Sequence, residues 1–482
     1  MDKLKEALQE LKESDYYPFH MPGHKRREKG DSDCHPYLED ITEIDGFDNL
    51  HHPEGIIKAE QEFAAKVFGA EESFFLVNGS SCGVSAAIAA VSADSEKRIL
   101  MGRNGHKSAY NGLYFADTGA DYLYPHKMQG VSFLGAVSPE DVLEAVNGDA
   151  LYSAVFLTSP TYEGVVSDVE RICKIAHGKN IPVIVDEAHG AHLGLWGGDG
   201  YFPKGALCQG ADIVIESLHK TLPAMTQTAI LHVQGNLVDR ERLKLYLAMF
   251  QSSSPSYVLM GSISSCVHFC MENGQKLLEN YKERLQDLYE RTKNLTHLSV
   301  VPAVLADNSS GIKISAERDP GKIIIGVGKS GLKGKALYDL LREKYHLQME
   351  MAATDYVLAM TSVMDTKEGF ERFICALWEI DAQIVGKEAV CDGRPMPEKA
   401  EALCSIRKAL AKASEPVEFE KCAGRVSGEF IYLYPPGIPV IVPGEVISEE
   451  VIAYLREAGA AGLAIQGLRD YRHKKICCIK NE

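Results

Sequence analysis

Between Ser73 and Val233 short apolar runs alternate with helical stretches, and this alternation constrains the fold more than any other feature of the chain. The runs SFFLVNG, RILMGRNGHKS, ADYLYP, SAVFLTSP and IPVIVDEAHGAH are separated by segments that read as helices, among them SSCGVSAAIAAVSA, residues 139–146 and residues 169–178. Runs without a polar face predict strands buried on both sides, so the expected architecture is an α/β fold with a mostly parallel sheet covered by helices. Ligands of such sheets bind beyond the carboxyl ends of the strands. The polar clusters of this region sit at such ends: Asn78-Gly79-Ser80-Ser81, Arg103 to Lys107, Thr158 to Tyr162, Asp186-Glu187-Ala188-His189 and Ser217-Leu218-His219-Lys220.

The last cluster lies within DIVIESLHKTLPAMTQTAILHV, residues 212–233, where one apolar run ends in Ser-x-His-Lys and another follows. That pattern places Lys220 at the mouth of a buried sheet. A partly desolvated amine beside other cations loses its proton readily and can attack a carbonyl, which is how pyridoxal phosphate enzymes use their lysine. Ser217 and His219 flank it as phosphate ligands. Lysines in loops of this kind are more often solvated, so the tetrapeptide needs the other clusters. Gly79-Ser80-Ser81 joins a strand to a helix, where backbone N–H groups, hydroxyls and the helix dipole favour a phosphate; N-capping by serine is the competing reading. Asp186 closes an apolar run, where a carboxylate needs a cation, and the protonated ring nitrogen of pyridoxal is one. A cap or a metal ligand are the alternatives there, and His189 with His192 at a three-residue spacing makes zinc the sharper rival. No third protein ligand is evident in the sequence nearby, which favours the organic cofactor. Ala188 is small enough to admit a ring on one face, and His106 can stack on the other. A single cofactor, pyridoxal 5'-phosphate, thus employs five clusters that a metal leaves mostly unused.

Composition sets the remaining bounds. The chain has 482 residues, 45% apolar and 24% charged, values of a soluble globular protein of two or three domains. No apolar run is long enough for a membrane span, and the start is an amphipathic charged helix rather than an export signal, so a cytoplasmic location is expected. Twelve cysteines without a C-x-x-C pair predict buried or free thiols. A formal charge of −16 argues against nucleic acid. We expect an amino-terminal helix over 1–16, whose leucine stripe needs a partner surface, a catalytic domain over 17–300, a smaller α+β domain over 301–390, and a carboxy-terminal α+β domain over 391–482. Within the last, residues 398–413 and 449–458 read as helices.

The motifs FHMPGHKRR, DITEIDGFDNLHHPEG, VNGSSCG, RNGHKS, TSPTYEG, VDEAHGAH, SLHKTLPAMTQTA, SSSPSY and YPPGIPVIVPGE together resemble the bacterial fold-type I ornithine/lysine/arginine decarboxylases over nearly the whole chain. The resemblance implies a short member lacking the amino-terminal wing of the long inducible forms, associated with polyamine biosynthesis. It implies that Lys220 forms the imine with pyridoxal phosphate, that His106 stacks on the ring, that Asp186 pairs with the ring nitrogen, and that Ser80, Ser81, Ser217 and His219 hold the phosphate. His189 stands where long members carry a tryptophan near the phenolic oxygen of the ring, while Ser80 and Cys82 replace residues that are often threonine. It further implies a homodimer with shared sites, in which Ser253 and Ser254 reach the partner's cofactor phosphate. The implied reaction is α-decarboxylation of a basic amino acid, arginine ahead of lysine and ornithine. A cationic side chain needs an acidic anchor, for which Glu163 and Glu445 are candidates beside a reading of each as an ordinary surface carboxylate. An aminotransferase or aldolase-type lyase of the same fold, and a catalytically silent regulator of polyamine enzymes, are the rival functions.

Overall fold

Seven strands form the central sheet: β1 (Glu72–Leu76), β2 (Arg98–Gly102), β3 (Ala120–Leu123), β4 (Tyr152–Thr158), β5 (Val183–Asp186), β6 (Ile213–Glu216) and β7 (Ala229–Val233). The computed structural model describes residues 15, 17–19, 41–44, 46–94, 96–126, 133–198, 200–307, 314–384, 397, 400–434 and 437–480. The helix expected over 1–16, apart from Asp15, and the motif FHMPGHKRR beyond Phe19 lie outside these residues. The sheet order is β1-β7-β6-β5-β4-β2-β3. Strands β2 to β6 pair in parallel, and β7 runs antiparallel to both β1 and β6. Every residue of β5, β6 and β7 is buried, which is why these runs carry no alternating polar face.

Helices cover both faces. The helix Gly79–Val91 is built from small residues and packs close to the strands; a Cβ on Gly83 would stand 2.6 Å from Leu76 Cδ1. Gly79 begins it at φ +76°, a backbone angle that turns the chain sharply out of β1 and that side chains with a Cβ rarely adopt. The 36-residue helix Tyr257–Thr292 then carries the chain away from the sheet.

It leads to a four-stranded antiparallel sheet ordered Met351–Ala352, Tyr356–Met360, Lys322–Gly326 and Ser299–Val300, backed by the helices Gly334–Tyr345 and Lys367–Gln383. Ser299–Val300 belongs to this second sheet, and the early strand Tyr17–Phe19 forms a separate two-stranded parallel sheet with Leu347–Met349. Phe19 is fully buried against Phe370 and Phe373, so the first described strand packs with the second unit rather than with the central sheet assigned to 17–300. In the carboxy-terminal unit Ser414–Glu418 pairs with Lys475–Ile479, and Ile431–Leu433 lies between Pro439–Ile441 and Ile465–Gln466. Its helices are Ile406–Ala411 and Glu449–Ala460. The first is shorter than the 398–413 expected from sequence. Ser405 caps it by accepting from Lys408 N, and the chain before it is tied down as Leu403 N donates to Gly444 O.

Candidate active site

The carboxyl ends of β1, β2, β4, β5 and β6 converge on one cavity, whose wall includes Ser80, Ser81, His106, Asp186, Ala188, His189, His219 and Lys220. Lys220 sits in the single helical turn Leu218–Thr221 that follows β6. Burial pushes its amine below the ordinary lysine range, while the charges of Asp186 and Glu350 oppose that shift. Asp186, at the end of β5, is 4% exposed and accepts one hydrogen bond, from Ala188 N at 3.2 Å. Burial raises its pKa against the pull of Lys220 and the Ala188 N–H, the state of a carboxylate that would be stabilised by a further cation.

The turn before Gly79–Val91 bears on the phosphate reading. Its N-cap, Asn78, makes no side-chain capping bond, so the first-turn N–H groups remain available to an anion, with Ser80 and Ser81 beside them. Ser217 is fully buried, and its hydroxyl has no hydrogen-bond partner among the described residues. His219 Nδ1 lies 2.8 Å from Thr228 O; it must donate to that carbonyl, which leaves Nε2 as the ring's second polar atom. Ser253 and Ser254 are exposed and do not line the cavity; the preceding Ser252 N donates to Asn78 Oδ1, which sets this loop against the same turn.

His106 caps the helix Lys107–Ala116. Its Nδ1 accepts from Ser108 N, and burial, followed by the charges of Lys220 and Lys107, pushes its pKa down to about 3. A neutral ring results, suited to stacking. Gly437 of the carboxy-terminal unit covers it, where an added Cβ would stand 3.3 Å from the ring, and Tyr434 and Ile438 from the same loop close the cavity.

His189 and His192 do not face a common point. His192 Nε2 lies 3.3 Å from Asp319 Oδ2, whereas His189 stands between two lysines, with Nε2 3.0 Å from Lys220 Nζ and Nδ1 2.8 Å from Lys322 Nζ. Both His189 nitrogens are taken up by lysine side chains, which leaves neither lone pair for a zinc ion.

The two candidate anchors separate. Glu163 lines a second cavity that shares Asn104, Tyr434 and Ile438 with the first, and its Oε1 accepts from Tyr356 OH at 2.9 Å. Glu445 lines neither cavity. It is fully buried, accepts from Arg103 Nη2 at 3.0 Å and from Val442 N at 2.9 Å, and fastens the carboxy-terminal unit to the end of β2. Its carboxylate is engaged by Arg103, so the geometry removes Glu445 as an anchor. Sequence reasoning also misses Thr226, Tyr434, Lys322 and Glu350. Glu350 bonds the hydroxyl of Tyr162, a cavity residue, and an acid between two methionines in LQMEMA was the available signal.

The uncapped helix terminus with Ser80 and Ser81, the buried Asp186 carboxylate, the neutral His106 imidazole and the desolvated Lys220 that wall this cavity fit pyridoxal phosphate, while Ser217, with its orphan hydroxyl, is not part of that wall. Fold and donor set together define a fold-type I pyridoxal phosphate enzyme. The lysine decarboxylase LdcF of Francisella novicida shares the fold, with a TM-score of 0.75 at 21% identity over 90% of this chain and 73% of that one. Residues 3–319 match the family described as Orn/Lys/Arg decarboxylase, major domain, and residues 389–471 match its C-terminal domain. The chain is 31% identical to the arginine decarboxylase of Halalkalibacterium halodurans, over 96% of this chain and 94% of that one, and 33% identical to the uncharacterized Bacillus subtilis protein YaaO, over 98% and 97%. It belongs to the Orn/Lys/Arg decarboxylase family.

Proposed function

We propose that the protein removes the α-carboxylate of a basic amino acid, arginine before lysine or ornithine, as carbon dioxide. The observation that carries the reading is the pairing of cavities: one holds Lys220, and the other, sharing three wall residues with it, presents the Glu163 carboxylate to a cation. A substrate whose α-amine lies at Lys220 can extend its side chain toward Glu163, with Glu350 adding negative charge near Lys220. Pyridoxal phosphate, when bound, supplies an electron sink conjugated to the substrate α-carbon. Asp186 would keep the ring nitrogen protonated, His106 would stack on the ring, and Ser80, Ser81, Ser217 and His219 would hold the phosphate. Lys220 would hold the cofactor through its carbonyl carbon, and its Nζ would be the group positioned to move a proton at the substrate α-carbon. Tyr434 and Ile438 keep water out.

The preference for arginine rests on the relative of that name. The same reading takes the protein as a cytoplasmic homodimer acting in polyamine metabolism. On this reading the exposed Ser253 and Ser254, which follow the Ser252 N to Asn78 Oδ1 bond, reach the cofactor phosphate of the partner subunit. Among the described residues no helix is long and apolar enough to cross a membrane.

Carbon dioxide release from arginine, lysine and ornithine by the pyridoxal phosphate-loaded protein, beside Lys220→Ala, tests the proposal. Release from one substrate, abolished in the variant, is expected. Cofactor binding with amino transfer and no carbon dioxide would refute it.

A further inference from the structure

Lys322 is one of the largest fully buried side chains, 1% exposed, at the start of the strand Lys322–Gly326 in the second sheet. Nothing in the family reading uses it. Its backbone is locked, since Lys322 N donates to Asp319 O and Lys322 O accepts from Arg318 Nη2, and its stem packs against Gly164, where a Cβ would stand 2.8 Å from Lys322 Cγ. Gly164 has φ +92° and comes from the loop after β4, so the large and second units are shaped around this side chain.

We propose that Lys322 is a positioning residue for Lys220: its ammonium donates to His189 Nδ1, which places the ring proton on Nε2 and turns that N–H toward the lone pair of an uncharged Lys220 amine. The inference rests on Lys220 being the cofactor-binding lysine. Its warrant is a count of donors and acceptors. A neutral imidazole has one N–H and one bare nitrogen, and an ammonium group can only donate. With Lys322 Nζ at 2.8 Å from Nδ1 and Lys220 Nζ at 3.0 Å from Nε2, both contacts are hydrogen bonds only if one of the two lysines is a free amine.

The neighbours decide which one. Lys322 lies beside Asp319; burial opposes the charge on that carboxyl, but His192, Lys322 and the Gly321 N–H more than offset it and hold it below its ordinary range. Lys322 therefore has a firm counter-charge. Lys220 faces Asp186, whose own charge is disfavoured by burial, and Glu350, which is shared with the Tyr162 hydroxyl. His189 is kept neutral by burial and by the charge of Lys322, and the Tyr162 ring packs on it with centroids 4.6 Å apart. The arrangement makes the nucleophile in advance: Lys220 meets the cofactor's carbonyl as an amine with its lone pair oriented.

The test uses the full chain without cofactor. Trace acetylation of Lys220 across a pH series, read by peptide mass spectrometry, reports the fraction of free amine. In the wild type the midpoint is expected below that of exposed lysines. In Lys322→Met, where Nδ1 loses its donor and His189 can accept from a Lys220 ammonium, the midpoint rises, and labelling at neutral pH falls by about tenfold for each unit of rise. In a His189→Phe background the same substitution is expected to leave the midpoint where it is, because the relay is already cut. An ordinary lysine midpoint in the wild type, an unmoved midpoint in a folded Lys322→Met, or an equal shift with and without His189 would each overturn the inference. Failure of the underlying reading shows separately, as wild-type protein that gains no visible absorbance with pyridoxal phosphate.

Discussion

Glu445→Ala separates a structural carboxylate from a substrate anchor. The Arg103 and Glu445 side chains are 5% and 1% exposed, and the guanidinium also reaches Tyr110 OH, Pro439 O and Val440 O. Those acceptors are neutral, so alanine at 445 leaves a buried cation without its counter-charge. Breaking one side of a buried pair costs about 3–5 kcal/mol, against at most about 1 kcal/mol for an exposed pair. Arg103 follows β2, while Pro439, Val440 and Glu445 all belong to the carboxy-terminal unit, so the loss falls on the docking of that unit over the cavity. Hydrogen exchange followed by mass spectrometry measures it: amides of the 437–447 segment should exchange faster by a factor matching that free energy, with the central sheet little changed. Arg103→Met combined with Glu445→Leu should recover part of the protection, because it removes the uncompensated charge while leaving Pro439 O, Val440 O and Val442 N without these partners. Unchanged exchange in Glu445→Ala together with a raised KM for arginine would refute the structural role and restore the anchor.

Three further outcomes are expected. Glu163→Gln should raise KM for the basic substrate by about 10- to 100-fold with a smaller change in kcat, the loss of one charge-assisted hydrogen bond, as measured by steady-state carbon dioxide release. Ser217→Ala should leave the melting of the cofactor-free protein nearly unchanged, since the hydroxyl has no partner among the described residues, yet weaken pyridoxal phosphate binding by roughly tenfold in a fluorescence titration. Burial raises the pKa of both Glu187 and Glu216 well above the ordinary 4.5, and the charge of Glu216 raises Glu187 further. The folded state thus holds a proton that the unfolded chain releases, so this contribution to stability is present below about pH 4.5 and is lost as pH rises toward the folded pKa values, at up to about 1.4 kcal/mol per pH unit for each retained proton. Glu216→Gln should flatten that slope in denaturant melts.

Much of the large unit was legible because its signals are local. A strand buried on both faces must be apolar along its length, so β4 to β7 stand out as runs, and a parallel sheet delivers the ends of those runs to one rim. That is how Ser80, His106, Asp186 and Lys220, far apart in the chain, could be grouped before any coordinates. The helix Ile406–Ala411 starts later than periodicity indicates, because Ser405 caps it and residues 402–403 are tied to the 444–445 turn, a long-range constraint that periodicity does not register.

Sequence alone settles the kinds of groups at the rim, since strand ends and glycine turns are encoded by neighbouring residues. Tertiary structure decides what those groups touch. Lys322 begins an apolar strand 133 positions from His189 and reads as an edge residue until the second sheet docks. Glu445 reads as a free acid until Arg103, 342 positions away, takes it. The physical reason is the same in both cases: a charge declares its role only through the partner that meets it in a low-dielectric interior, and that partner is chosen by how the units pack.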